Sequence, residues 1–238
     1  MVLVVLLMIW LVIPTAAHAR DDAQQVPSVT VMGQGATALP PDTAFVSIGV
    51  ETAAKSVAEA QRQNRSLMHK VAERLRGLRI DQERIQTASF TVSPQYKPPP
   101  KRPADQPPTP PEIVGYVASN SLTVEVWNIE NVGAVIEESL AAGANQFHGL
   151  RWALRNEQQA KLGALKEAAT RAREKAAALS EPLNVKLVRL LSATEESRVV
   201  QPVRRTRSIM EGSGEMPVFS GEIKVEATVT LVYEIGHE

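Results

Sequence analysis

Residues 156–185 read NEQQAKLGALKEAATRAREKAAALSEPLNV, the longest uninterrupted helical pattern in the chain. Leu162, Leu165, Ala169, Ala172, Ala176 and Leu179 recur every three or four residues, which places them on one helix face. Lys161, Lys166, Arg171, Arg173, Glu174 and Lys175 lie mainly on the other faces. Asn156 with Gln159 three residues on fits a capping box, and Pro182 is a stop. About 24 residues at 1.5 Å each make a rod of roughly 36 Å. A stripe that is half alanine lets a helix sit close to a flat partner, so this rod is expected to lie on a β-sheet.

Outward from that helix, strands and helices alternate. Residues 28–35 and 43–50 alternate apolar and polar across a Pro40-Pro41-Asp42 turn, which predicts an antiparallel hairpin. Ser56 and Glu59 open a second helix whose face carries Val57, Ala60, Asn64, Leu67, Met68, Val71 and Leu75. Gly77 stands where a glycine cap belongs. Strands are expected over 84–93, 113–126, 147–154, 185–193 and 222–235, with a shorter helix over 131–142. The fold class is therefore α+β: seven mainly antiparallel strands and three helices in the order ββαββ-αβαββ, helices packed on sheet in two closely joined subdomains. Helix-then-strand occurs at 56–93 and at 157–193, without a residue-level repeat.

Two segments interrupt the pattern. Residues 94–111 hold nine of the sixteen prolines and cannot be helix interior or central strand. They read as the enlarged tip of a hairpin, an exposed insertion of polyproline character. Residues 195–215 are polar and read as an irregular loop carrying Arg198, Arg204, Arg205 and Arg207. That arginine group is the candidate surface for an anionic partner, a lipid headgroup or an acidic protein face.

The first nineteen residues read as an export signal. Residues 2–13 are apolar, too short for a comfortable membrane span, and Ala17-His18-Ala19 fits signal cleavage after Ala19. Residues 20–27 follow as a loose leader. A periplasmic location is expected, with a retained N-terminal anchor as the alternative. The chain has no cysteine, which excludes disulfides, thiol catalysis and cysteine metal sites. Twenty-six basic and twenty-six acidic residues leave no net charge, which argues against a nucleic-acid partner.

No motif supplies an active site. Gly33-x-Gly35-x-x-Ala38 has the spacing of a dinucleotide fingerprint, yet Pro40-Pro41 stands where the phosphate-binding helix would begin. Two glycines that let the strand end bend or meet another backbone explain it better. His69, His148 and His237 lack a second ligand at metal spacing. Gly212-Ser213-Gly214 is not a nucleophile elbow. No catalytic residue, cofactor, metal or small-molecule substrate is assigned. Asn120 sits in an apolar strand face; a buried amide must be hydrogen-bonded, so it is read as structural, pinning the register of the long strand pair or satisfying a neighbouring helix end.

These pieces in this order resemble the SIMPL-domain family, which includes periplasmic immunogenic proteins and the YggE-like proteins associated with oxidative stress. The matching parts are VTVMGQG at 29–35, Pro41-Asp42, the helix with Ala58, Ala60 and Asn64, and Ile85-Gln86-Thr87. Tyr116-Val117-Ala118-Ser119-Asn120, Gly133, Gly143-Ala144, the alanine-rich run at 172–179 and the closing strand at 225–233 match too. The resemblance covers about 28–236 and implies an exported α+β protein that tends to assemble into rings or larger oligomers, with no established enzymatic reaction; the leading reading is a non-catalytic, self-assembling periplasmic homo-oligomer with an envelope or stress-related role. The alternatives are a membrane-tethered interaction module and, third, an enzyme of unrecognised class. The first strand carries no charge over 28–38, so Val29, Val31 and Gly33 form the candidate assembly strand.

Overall fold

The computed structural model describes residues 26–98, 110–203 and 220–237. The elements follow the expected order: β1 (Ser28–Leu39), β2 (Thr43–Ala54), α1 (Val57–Gly77), β3 (Ile85–Tyr96), β4 (Ile113–Val126), α2 (Val132–Ala141), β5 (Gln146–Ala153), α3 (Glu157–Ser180), β6 (Val185–Val203) and β7 (Glu222–His237). All strand pairs are antiparallel, in a three-stranded sheet β1-β7-β6 and a four-stranded sheet β3-β4-β2-β5.

The expected β1–β2 hairpin does not form. β1 pairs with β7 along its whole length, and β2 lies between β4 and β5. Alternation identifies a strand but not its partner, and Pro40-Pro41-Asp42 is a crossover between sheets rather than a hairpin turn. Asp42 fastens that crossover to the second one. Its amide donates to the Ala153 carbonyl at 3.2 Å, and its Oδ1 accepts from the Arg155 amide at 2.7 Å. The Arg84 and Arg155 guanidiniums lie 4.3 and 5.4 Å from the Trp127 ring centre, packing the same corner.

Residues 43–153 run β-α-β-β-α-β with sheet order β3-β4-β2-β5, the ferredoxin-like path. This unit is inserted between β1 and α3 of the other. The topology also supplies the repeat that the residues do not show. β2-α1-β3-β4 has spatial order β2-β4-β3, and β1-α3-β6-β7 has order β1-β7-β6. In each unit the helix lies over the first and last strands and touches the middle strand of the path least. β3 and β6 are therefore edge strands with little cover. Each leads into a hairpin whose tip, the proline-rich segment in one and the arginine-rich segment in the other, falls largely outside the described residues. The base of the proline-rich tip is closed by the Lys97 amide donating to the Glu112 carbonyl at 2.9 Å.

Each unit has its own core. One gathers Val46, Ile48, Val50, Val71, Leu75 and Val124 between α1, α2 and the larger sheet. The other gathers Val31, Ile223, Val225, Val229 and Leu231 under α3, and Trp152 packs against both.

The buried face of α3 shares Ala172 and Ala176 with the expected one, and Leu165 and Ala169 pack at its border, but its centre is rotated. Ala160, Ala164, Ala168, Ala172 and Ala176 are buried, a strict every-fourth stripe, whereas Leu162 is 55% exposed and Leu179 41%. The reason is β1. A Cβ at Gly33 would overlap the Ala168 carbonyl and the Ala172 amide, and one at Gly35 the Ala164 carbonyl and the Ala168 amide. The helix backbone rests on the strand backbone, and leucine does not fit at that separation. Two periods match: four helix residues rise about 6.0 Å, two strand residues about 6.8 Å. So Gly33 and Gly35 fall against successive alanine turns. This close approach, not a phosphate, accounts for the Gly-x-Gly.

Three further differences are local. β6 continues to Val203, so Arg198 stands on a strand where a loop was expected from 195. A bulge between Thr87 and Ser89 resets the alternation of β3, bringing Ile85, Thr87, Phe90 and Val92 to one face. At the end of α1 the left-handed residue is Arg79 (φ 60°) rather than Gly77, the last helical residue. The predicted N-caps form: the Asn156 Oδ1 accepts from the Gln159 amide at 3.0 Å, and the Ser56 Oγ from the Glu59 amide at 3.3 Å.

Candidate functional site

The assembly strand is the first feature to place. β1 lies at a sheet edge, as expected, while β7 is central. Val31 and Gly33 are buried against α3, and Val29 is half-buried beside them. Their side chains hold the strand to its helix and are not presented outward. What β1 presents at its edge is backbone, and α3 reaches it. Lys175 Nζ donates to the Met32 carbonyl at 2.7 Å, and Arg171 Nη1 to the Gln34 carbonyl at 3.0 Å. The Ala36 amide donates to Glu167 Oε2 at 2.9 Å. Residues 167, 171 and 175 are one turn apart and meet alternate strand residues through the same match of periods that seats the glycines. Charged side chains over an edge strand hinder uncontrolled pairing.

Of the arginine group, Arg198 is engaged across the sheet: its Nη2 donates to Glu226 Oε2 at 2.8 Å and its Nε at 3.2 Å. Lys224 and Arg198 hydrogen-bond the Glu226 carboxyl and hold it below its ordinary pKa, Lys224 more than Arg198. Arg204, Arg205 and Arg207 lie outside the described residues, as does Gly212-Ser213-Gly214. Among the described residues no three His, Asp or Glu side chains gather as a metal site. His69 faces Glu73 at 4.0 Å, and both are exposed.

A second feature was not singled out from sequence. Because α1 covers β2 and β4 but little of β3, a cleft of about 460 Å³ opens between the helix and that edge strand. Asn64 of α1 and Asn120 of β4 line it. Asn64 is 1% exposed; its Nδ2 donates to the Val50 carbonyl at 2.8 Å and the Ala118 carbonyl at 3.0 Å, tying α1 to two strands. Its Oδ1 is buried and meets no protein donor, and neither does the Oδ1 of Asn120. The hydrogen bonds that join helix to strands here come from Asn64, while the Oδ1 of Asn120 is buried with no partner among the described residues. A polar residue in the apolar face of a helix pattern was the signal available in the sequence.

The family model of SIMPL, described as a protein of unknown function (DUF541), matches residues 29–233. The chain belongs to the SIMPL family. That span includes both units and both edge strands, so the SIMPL assignment concerns the whole described fold. Two SIMPL-like relatives are the 26 kDa periplasmic immunogenic proteins of Brucella melitensis biotype 1 and Brucella abortus strain S19. Each is 30% identical over 229 residues, covering 94% of this chain and 90% of the relative. The family description names no reaction, and no helix among the described residues is long and apolar enough to cross a membrane.

Proposed function

We propose that this SIMPL protein acts in the periplasm as a non-catalytic, self-assembling envelope protein with a role in stress, joined head to tail through the edges of its three-stranded sheet. The observation that carries the reading is the order β1-β7-β6: two unlike long edges on one sheet. β1 runs parallel to β6 within the unit, so β1 of one copy docks on β6 of the next and extends the sheet. A heterologous contact of that kind closes into a ring when the rotation permits. On β1 the contact is the outward backbone of Met32, Gln34 and Ala36 beside Val29, Val31 and Gly33; on β6 it includes Val188 and Leu190, both exposed. The incoming strand replaces Glu167, Arg171 and Lys175 on the β1 backbone. The arginine group of the sequence, Arg198 with Arg204, Arg205 and Arg207, is assigned to an anionic envelope surface.

The test starts from light scattering on the purified protein, read against the mass of the mature monomer, which is smaller than the 25.9 kDa of the uncleaved chain. Val31→Lys is a poor probe because Val31 is core. Gln34→Pro removes an outward amide without touching the β1–β7 ladder, and Leu190→Lys charges the other edge. Each variant is expected to fold and to run as a monomer. An equal mixture is expected to give a one-to-one dimer, because each retains one intact edge. A wild type that stays monomeric at high concentration defeats the proposal, and folded variants with unchanged oligomer mass defeat these edges.

Export rests on residues 1–19, with cleavage proposed after Ala19 in line with the periplasmic relatives. Mass spectrometry of the envelope fraction is expected to find a chain beginning at Arg20. A chain that begins at Met1 points instead to a tethered module.

A further inference from the structure

The cleft between α1 and β3 combines three kinds of group. Asn64 and Asn120 line it, and the side-chain oxygen of each is buried with no hydrogen-bond partner among the described residues. The orientation of Asn64 is fixed, because only its nitrogen can donate to the Val50 and Ala118 carbonyls. Its oxygen is therefore a fixed acceptor buried beside the cleft, and an unmet buried acceptor is costly. The walls are apolar: Met68 and Ala72 from α1, Ile85 and Phe90 from β3, and Leu122 from β4. Phe90 is 52% exposed, an unusual state for a phenylalanine on the helix-facing side of a sheet. The rim carries the guanidiniums of Arg65 and Arg76 beside His69, and among the described residues no carboxylate lines the cleft. Arg76 is occupied by Glu73 and Gln82. Arg65 is exposed and forms no ion pair with a carboxylate among the described residues.

We propose that this cleft is a binding site for a small amphipathic carboxylate bearing an N–H donor, the chemistry of an N-acylated amino acid. The N–H donates to Asn64 Oδ1, the apolar side chain lies on Phe90, Ile85 and Leu122, and the carboxylate meets Arg65 at the rim. The cleft volume falls within the ~300–1,000 Å³ usual for small-ligand sites. A charge-assisted bond at the open end and a neutral one on the floor give the ligand a single direction. This site stands apart from the assembly edges of β1 and β6, so it does not depend on the proposed oligomer.

The probe is N-acetyl-L-leucine, titrated into the wild-type protein by calorimetry and followed through the side-chain amide signals of Asn64 and Asn120 by NMR. Binding is expected with shifts in both signals. The methyl ester, which lacks the anion, and 4-methylpentanoate, which lacks the N–H, are each expected to bind about tenfold more weakly or worse. Arg65→Gln, a change on the exposed face of α1, is expected to weaken N-acetyl-L-leucine about tenfold without changing the melting temperature, and to leave the ester unaffected. Phe90→Ala is expected to weaken acid and ester together. Unmoved asparagine signals at millimolar probe overturn the assignment. So does equal binding of acid and ester, or an Arg65→Gln protein that binds as the wild type does.

Discussion

Gly33→Val is expected to destabilise the protein by about 3 kcal/mol or more, the upper range for overpacking a core. In a chain of this size that corresponds to a melting temperature lower by roughly 6–12 °C. The cause is the distance between two backbones rather than the φ of glycine. The first carbon of any side chain at Gly33 overlaps the Ala168 carbonyl and the Ala172 amide, and neither is the movable end of a flexible side chain. The helix must lift as a body, which opens the contact along Ala164, Ala168 and Ala172, all fully buried. Lifting also draws Glu167, Arg171 and Lys175 away from the backbone they cover. Gly35→Val should behave alike. Gly77→Ala is the control, since a Cβ there meets nothing within 4 Å; it should be neutral or slightly stabilising because alanine is the better helix former. Thermal unfolding of the three variants decides the matter. If Gly33→Val melts with the wild type, the close seating of α3 on β1 is wrong.

The same contact shows what the sequence can and cannot convey. The length of α3, its Asn156 cap and its place on a sheet follow from local pattern. The face it buries does not. Leucine outranks alanine in hydrophobicity, so a reading by apolar weight turns the helix toward Leu162 and Leu179. The structure turns it toward the smallest residues because β1 offers Gly33 and Gly35. Reading both segments together reveals it: an every-fourth alanine stripe and an every-second glycine pair have nearly equal rise.

Strand pairing was the other gap. Adjacent alternating runs form hairpins when a turn can join them, but Pro40-Pro41-Asp42 bridges two sheets. β1 finds β7, 206 residues away at one registered end, Ser28 against Glu234, and 184 at the other, Leu39 against Ile223. Nothing local encodes that pairing. It follows from closure of the second βαββ unit around an inserted first one. The bulge at Thr87/Ser89 hid the cleft similarly. A strict period of two puts Ile85 and Phe90 on opposite faces, whereas the bulge brings both to the side where Asn64 and Asn120 lie.

Asn64→Leu is expected to cost about 2–4 kcal/mol, although leucine is nearly the same size and more apolar than the residue it replaces. The side chain is buried, so transfer alone favours leucine. Against that stand two carbonyls, Val50 and Ala118, each of which loses the Nδ2 donor. An unmet buried acceptor costs about 1–3 kcal/mol, and here there are two. The apolar gain offsets part of this. Asn64→Asp separates the contributions, because it keeps the shape and removes the donor while introducing a buried carboxyl. It should be at least as destabilising near neutral pH, and it should recover part of the loss in acid. The sign follows from linkage: a carboxyl pushed above its ordinary pKa by burial beside two carbonyls binds its proton more tightly in the folded state, so folding gains as pH falls through that range. Once protonated it can donate to one of the carbonyls. Chemical denaturation at neutral and mildly acid pH, with amide exchange at Val50 and Ala118, tests both variants. Asn64→Leu as stable as the wild type would mean that those carbonyls find other donors and that α1 is held by apolar packing alone.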